Sequence, residues 1–187
     1  MKAAITTESF DIYTTPIPAD PDLTRRERER AAALSLVKAV FGPGANIGHT
    51  PEGAPLLEGV KKAEPISISH DCDACLLAVS RCGRPIGADI ETPREQLMRV
   101  SRRFLGPEEQ ARLDRLSSED GRMKFLLRCW TAKEAVYKCA LTPGLALTEI
   151  RLSASADAAE ARGNRYALWF YGRSEVAITA VAVKTEP

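Results

Sequence analysis

Pro65-Ile66-Ser67-Ile68-Ser69-His70, Ala74-Cys75-Leu76-Leu77-Ala78-Val79-Ser80 and Pro85-Ile86-Gly87-Ala88-Asp89-Ile90-Glu91 follow one another with only short polar breaks. The first alternates, with Ile66 and Ile68 on one face and Ser67 and Ser69 on the other. The second is continuously apolar, as a strand covered on both faces would be, and the third alternates again. Arg81-Cys82-Gly83-Arg84 supplies a hairpin turn between the last two. Upstream lie a short β-prone segment, Ala3 to Tyr13, and a helix. Asp20 with Pro21, or Thr24 in a capping box with Glu27, starts that helix, and Gly42-Pro43 stops it. Its apolar positions are Ala33, Leu34, Val37, Val40 and Phe41, and a Gly/Pro-rich loop follows to about Gly59.

Downstream the plan restarts. Thr92-Pro93-Arg94-Glu95 opens a helix with Leu97, Val100, Ser101 and Phe104 on one face, and Gly106-Pro107 breaks it. A second short helix turns Leu113 and Leu116 inward. A long one from about Glu119 to Leu141 aligns Leu126, Trp130, Tyr137 and Leu141. Strands over Leu147–Leu152, Tyr166–Tyr171 and Val176–Val183 close the chain. Two halves of about ninety residues are each too small to bury a sheet face well alone. The expected fold is therefore α+β, a pseudo-dimer of two similar halves packed around one core.

The whole chain has 187 residues, 44% hydrophobic and 27% charged, so it can bury a real core. Lys and Arg total 26 against 25 Asp and Glu, a net charge of +1 that argues against a dedicated nucleic-acid or membrane-surface binder. The apolar runs are strand-sized, well short of a membrane span. Neither a signal nor a transit pattern stands at the N-terminus, so the cytosol is the expected compartment. Five cysteines cannot form a complete disulfide framework. Cys72 and Cys75 form a lone CxxC without finger-spaced histidines, and Cys75 reads as a small buried strand residue. The +1 conceals segregation. Residues 81–103 hold six basic against three acidic groups and 122–138 five against one, whereas 1–80 and 104–121 are acidic.

Three fragments carry chemistry. On a strand, Asp89 and Glu91 point the same way, about 6.5–7 Å apart. Two such carboxylates repel unless a cation or base stands between them, and oxygen-only donors favour Mg²⁺ over Zn²⁺. Gly87 shares that face and leaves room for a ligand to approach, while Ile86, Ala88 and Ile90 face the core. The bland alternative is a strand end with solvated acids. On the long helix Trp130, Glu134 and Lys138 step by four, directing an acid and a base to one place; the bland alternative is a surface i,i+4 pair. Ser69 and His70 end a strand, where hydroxyl, imidazole and backbone N–H groups can meet a phosphate. A Ser-His nucleophilic couple is discounted, because adjacent strand residues face opposite sides and no nucleophile elbow is present.

Taken together and in order, Ser67-Ile68-Ser69-His70, Gly87-Ala88-Asp89-Ile90-Glu91 and Trp130-Thr131-Ala132-Lys133-Glu134-Ala135-Val136-Tyr137-Lys138 resemble the 4′-phosphopantetheinyl transferase superfamily. The two-half layout resembles its larger, surfactin-synthetase-activating type. Gly53-Ala54-Pro55 looks like the family's Gly-Lys-Pro loop, and Phe104, Glu108-Glu109 and Gly144-Leu145 also match family positions. The resemblance implies transfer of the phosphopantetheine arm of coenzyme A to a serine of an acyl or peptidyl carrier protein, releasing 3′,5′-ADP. It implies residues 1–92 as a coenzyme A-binding half with the first metal acids, 93–187 as the half with the W-x-x-K-E helix, and an active site in the cleft between them.

By the same resemblance Asp89, Glu91 and Glu134 hold Mg²⁺, Glu134 is the general base, and Lys138 is catalytic and neutralises phosphate. Coenzyme A contacts fall to Gly53, Ala54, Pro55, Ser69, His70 and Lys138. Lys133 is a further candidate, although it stands some 100° around the helix from Glu134. Ala54 replaces the family's lysine, and Arg26, Arg28 and above all Arg30 are candidates for the 3′-phosphate, against a solvated-helix reading of that Arg/Glu run. A monomer is expected, because a covalent pseudo-dimer needs no partner to complete its site. The rival readings are a catalytically silent relative that binds carrier proteins and an Mg²⁺-dependent pyrophosphate hydrolase.

Overall fold

A computed structural model describes residues 1–172 and 177–185. It is α+β, with two antiparallel sheets, each backed by one long helix. The first sheet is ordered β1 (Ile5–Thr6), β2 (Phe10–Pro16), β6 (Ala74–Ser80), β5 (Ile66–His70). The second runs β7 (Ile86–Glu91), β11 (Ile178–Lys184), β10 (Asn164–Gly172), β9 (Ala158–Ala161), β8 (Arg151–Leu152). A separate hairpin, β3 (Asn46–His49) with β4 (Pro55–Glu58), occupies what the sequence presents as a Gly/Pro-rich loop.

Of the two starts the sequence offers, helix α1 (Arg25–Phe41) takes Thr24, in a capping box with Glu27, rather than Asp20 with Pro21, and Gly42 ends it as expected. Ala32, Ala33, Leu36 and Val37 pack on Cys75, Leu77 and Val79 of β6. The opposite face of β6 (Ala74, Leu76, Ala78) joins Phe10 and Ile12 against Ile86, Ala88, Ile90, Val181 and Val183 of the second sheet. That double coverage is why β6 is apolar without alternation. Helix α4 (Glu119–Ala140), capped by Ser118, lays Ala132, Ala135, Val136 and Cys139 on the far face of the second sheet, against Leu168, Ala180 and Ala182. The layers are therefore α1, first sheet, second sheet, α4. Tyr137 and Leu141, expected on the inward stripe, are exposed instead.

Three local expectations change. Thr92 does not cap a helix: its hydroxyl donates to Asp71, and α2 (Gln96–Val100) begins only after Glu95, followed by a 3₁₀ turn over Ser101–Arg103. Leu147–Leu152 is a 3₁₀ turn (Leu147–Glu149) and then the two-residue β8, and β9 adds a strand the sequence reading lacks. Val176, the expected start of the last strand, lies outside the described residues. Helix α3 (Pro107–Asp114) has its proline at the N-terminus as expected, and Glu109 accepts a hydrogen bond from the Gly106 backbone.

β7 sits at the seam. It forms its ladder with β11 and so belongs to the second sheet. Its free edge meets β5, the edge of the first sheet, and serine side chains stand in for a backbone ladder there. The Ser67 hydroxyl accepts from Ala88 N–H at 2.9 Å and the Ser69 hydroxyl from Ile90 N–H at 3.4 Å.

Candidate active site

The pleat of β7 decides where the acids go. Ile86, Ala88 and Ile90 enter the core between the sheets, so Gly87, Asp89 and Glu91 must face α4. Helix α4 presents Trp130, Glu134 and Lys138 along one stripe in return. Lys138 Nζ donates to Asp89 Oδ1 at 2.7 Å, Ser69 Oγ at 3.1 Å and the Ala88 carbonyl at 3.2 Å. Ser69 Oγ in turn donates to Asp89 Oδ1 at 2.8 Å. One lysine and one serine thus tie β5, β7 and α4 together around a carboxylate that is 4% exposed.

Asp89 Oδ2 is buried and has no hydrogen-bond partner among the described residues. A buried carboxylate oxygen without a partner is costly, so it marks a place prepared for a cation or a donor. Glu134 lies close enough to Asp89 and Lys138 to feel both. Burial pushes its carboxyl above the usual carboxylate range, the Asp89 charge adds to this, and Lys138 opposes it. Burial also pushes Glu91 up, opposed by the hydrogen bond from Trp130. The Trp130 indole N–H donates to Glu91 Oε1 at 2.9 Å, and its ring stands edge-on to Phe104, 5.2 Å between centroids. Arg94 hydrogen-bonds Glu91 Oε2. Among the described residues, no trio of acidic, histidine or cysteine side chains is gathered closely enough to hold a metal ion as it stands. The acids instead carry internal counter-cations, Lys138 on Asp89 and Arg94 on Glu91.

Gly87 has a different role from the one its sequence context suggests. A Cβ there would lie 1.9 Å from the Ala135 carbonyl oxygen and 2.5 Å from the Cys139 nitrogen, so the missing side chain makes room for α4, not for a ligand. Lys133 is not brought to the cluster. It is fully buried on another side of α4, where Nζ meets Glu109 at 2.7 Å and the carbonyls of Leu147 and Ile150 at 3.0 and 2.7 Å. The same turn of helix therefore carries a structural lysine and a site glutamate, and the 100° between them separates the two.

His70 is half-buried, which pushes its pKa down, and its Nε2 has no partner among the described residues. The Glu29 backbone hydrogen-bonds the ring, and the charges of Glu29, Lys138 and Arg25 all reach it. Arg25 and Arg30 are both exposed on α1, and the Arg25 charge bears on this histidine. Gly53, Ala54 and Pro55 lie at the β3–β4 turn, where Gly53 takes φ +87°. They line a cleft of about 720 Å³ together with Ser67, Ile68, Tyr137, Lys138 and Leu141. Lys138 thus joins the cleft to the acid cluster, and the exposure of Tyr137 and Leu141 is explained, because they form its wall. Sequence reasoning missed Asp71, Arg94 and the seam role of Ser67. Only the i,i+3 spacing of Glu91 and Arg94 could have signalled any of them.

A family model of the 4′-phosphopantetheinyl transferase superfamily matches residues 85–180, just over half of the chain. The chain belongs to that superfamily. The match runs from β7 through α4 into β11, so it covers both faces of the acid cluster. A Synechocystis protein carrying the name of a candidate 4′-phosphopantetheinyl transferase is 32% identical over 93 residues, 48% of this chain and 37% of the relative. The chain thus spans little more than a third of that relative's length. The holo-[acyl-carrier-protein] synthase of Thermotoga maritima aligns over 55% of this chain and 64% of its own, with 15% identity and a TM-score of 0.42. No helix among the described residues is long and apolar enough to cross a membrane.

Proposed function

We propose that this protein transfers the 4′-phosphopantetheine arm of coenzyme A to a serine hydroxyl of an apo acyl or peptidyl carrier protein, with Mg²⁺. The observation that carries the proposal is Asp89, whose buried Oδ2 has no partner among the described residues and whose other oxygen is held by Lys138, the lysine that also lines the cleft and whose charge reaches Glu134. The serine oxygen attacks the β-phosphorus of the coenzyme A pyrophosphate. The bond to the bridging oxygen breaks, and 3′,5′-ADP leaves. Catalysis of such a transfer is mostly positioning and charge neutralisation.

The donor set fits Mg²⁺: oxygens only, from Asp89, Glu91 and Glu134, one of them without a partner. When bound, Mg²⁺ supplies neutralisation of the pyrophosphate oxygens. The chain's own residues do the rest. Lys138 is a point charge for phosphate oxygens at the mouth of the cleft. Glu134, on the α4 stripe that faces Asp89, accepts the serine proton. Trp130 fixes the rotamer of Glu91. Ser69 holds Asp89, and the unpaired Nε2 of His70 would donate to a phosphate oxygen once the ring is protonated. Gly53, Ala54 and Pro55 shape the cleft wall for the nucleotide, without the cation that a lysine at 54 would add. Lys133 acts as a strut through Glu109 and makes no ligand contact. Both acid-bearing elements come from one chain, which supports a monomer.

The test is to incubate the protein with coenzyme A, Mg²⁺ and an apo carrier protein and to read the carrier's intact mass. A gain of one phosphopantetheine group on serine supports the proposal. Binding to several apo carriers without any mass gain points to a silent carrier-binding relative, and cleavage of coenzyme A without transfer points to a hydrolase.

A further inference from the structure

Arg94 lies just beyond β7, and its guanidinium is shared between two acids. It hydrogen-bonds Glu91 Oε2, and the same nitrogen lies 3.9 Å from Asp71 Oδ1. Asp71 is fixed and buried at the end of β5, accepting from Cys72 N–H at 2.7 Å and the Thr92 hydroxyl at 3.2 Å. Glu91 has both oxygens engaged, with Trp130 on one and Arg94 on the other. Asp89 keeps a free oxygen although Lys138 holds its other one. The cation that stands in the way of a metal is therefore Arg94, at Glu91.

We propose that Arg94 is a built-in counter-ion that competes with the divalent cation for Glu91 and passes to Asp71 when the metal binds, so that it sets the metal affinity of the site. A guanidinium and a divalent cation on one carboxylate oxygen repel each other, so the metal gains Glu91 fully only as Arg94 withdraws. Asp71 makes that withdrawal inexpensive, because a second carboxylate already lies within a short side-chain movement. The displaced pair is partly solvated, with Arg94 46% and Glu91 14% exposed, so its competition is modest and weakened by salt.

The inference rests on the metal-binding part of the proposed function, and a binding experiment without coenzyme A or carrier separates the two. Free Mn²⁺ is followed by its electron paramagnetic resonance signal while it is added to the wild type, to Arg94→Gln and to Arg94→Lys at low salt. Arg94→Gln is expected to bind Mn²⁺ about two- to five-fold more tightly than the wild type, the range of a partly exposed ion pair, with the gap closing at high salt. Arg94→Lys, which keeps the charge, is expected to stay within two-fold of the wild type. Unchanged or weaker binding by Arg94→Gln, with the wild type binding Mn²⁺, overturns the inference and leaves the proposed function standing. If no protein binds Mn²⁺ at millimolar concentration, the metal assignment itself fails, and the inference with it.

Discussion

Gly87→Ala is the most informative single substitution in the fold. A β-carbon at 87 would lie 1.9 Å from the Ala135 carbonyl oxygen, where ordinary contact begins near 3.4 Å, and also 2.5 Å from the Cys139 nitrogen. All of the backbone it meets belongs to α4, which cannot yield as a flexible side chain would. Relief therefore requires helix and strand to separate by more than 1 Å at this point. Overpacking of this kind costs about 1–3 kcal/mol. At about 2–4 °C per kcal/mol for a chain of this size, the melting temperature should fall by roughly 2–12 °C. The larger consequence is functional. Asp89 and Glu91 ride on the strand, Glu134 and Lys138 on the helix, and the 2.7 Å Lys138–Asp89 contact spans the gap being opened. A displacement of about 1 Å in a transfer site can cost about 10²-fold in rate. Thermal unfolding and carrier modification should be measured on the same preparation. Coupled losses in both are expected. If Gly87 instead made room for a ligand, the variant would keep its wild-type melting temperature and show only a raised KM for coenzyme A, and that result would refute the packing argument.

Other substitutions separate structural from chemical roles. Glu109→Gln leaves the fully buried Lys133 cation without its counter-charge, which should cost about 3–5 kcal/mol in urea unfolding; a loss below about 1 kcal/mol would show the ion pair to be dispensable. Glu134→Gln should reduce transfer by about 10²-fold or more while making the metal-free protein more stable at neutral pH. The sign follows from burial, which raises the folded-state pKa of Glu134 above its unfolded value. Ionisation in the folded state then costs stability, and that cost appears as pH rises through the folded pKa and is absent below the unfolded one. The melting-temperature advantage of Glu134→Gln should therefore be present at pH 8 in a chelating buffer and shrink toward pH 4. An advantage independent of pH would point to packing instead.

Much of this site was legible because secondary-structure periods place side chains without reference to tertiary structure. Period two put Asp89 and Glu91 together and Ile86, Ala88 and Ile90 on the opposite face. Period 3.6 put Trp130, Glu134 and Lys138 in line and turned Lys133 away. What periodicity cannot supply is the neighbour. Gly87 looked like space for a ligand because nothing in the sequence shows that α4 lies against β7. Thr92 had every mark of a helix cap, yet its hydroxyl was claimed by Asp71, which is distant in sequence. The segment Ala158–Ala161 carried no strand signal, since alanine and glutamate are weak strand formers; it pairs because β10 lies beside it. The β3–β4 hairpin was hidden by its Gly and Pro residues, and Leu57 is its one buried hydrophobic side chain.

In the proposed function, one carboxylate on β7, held by Lys138 and Ser69, organises phosphopantetheine transfer. The most direct test is the intact mass of an apo carrier protein after incubation with coenzyme A, Mg²⁺ and either the wild type or Asp89→Asn, which keeps the shape of the side chain and removes its charge. One added phosphopantetheine group is expected with the wild type and none with a folded Asp89→Asn variant over the same time. Full modification by Asp89→Asn, or no modification by the wild type across several apo carriers, would contradict the proposal.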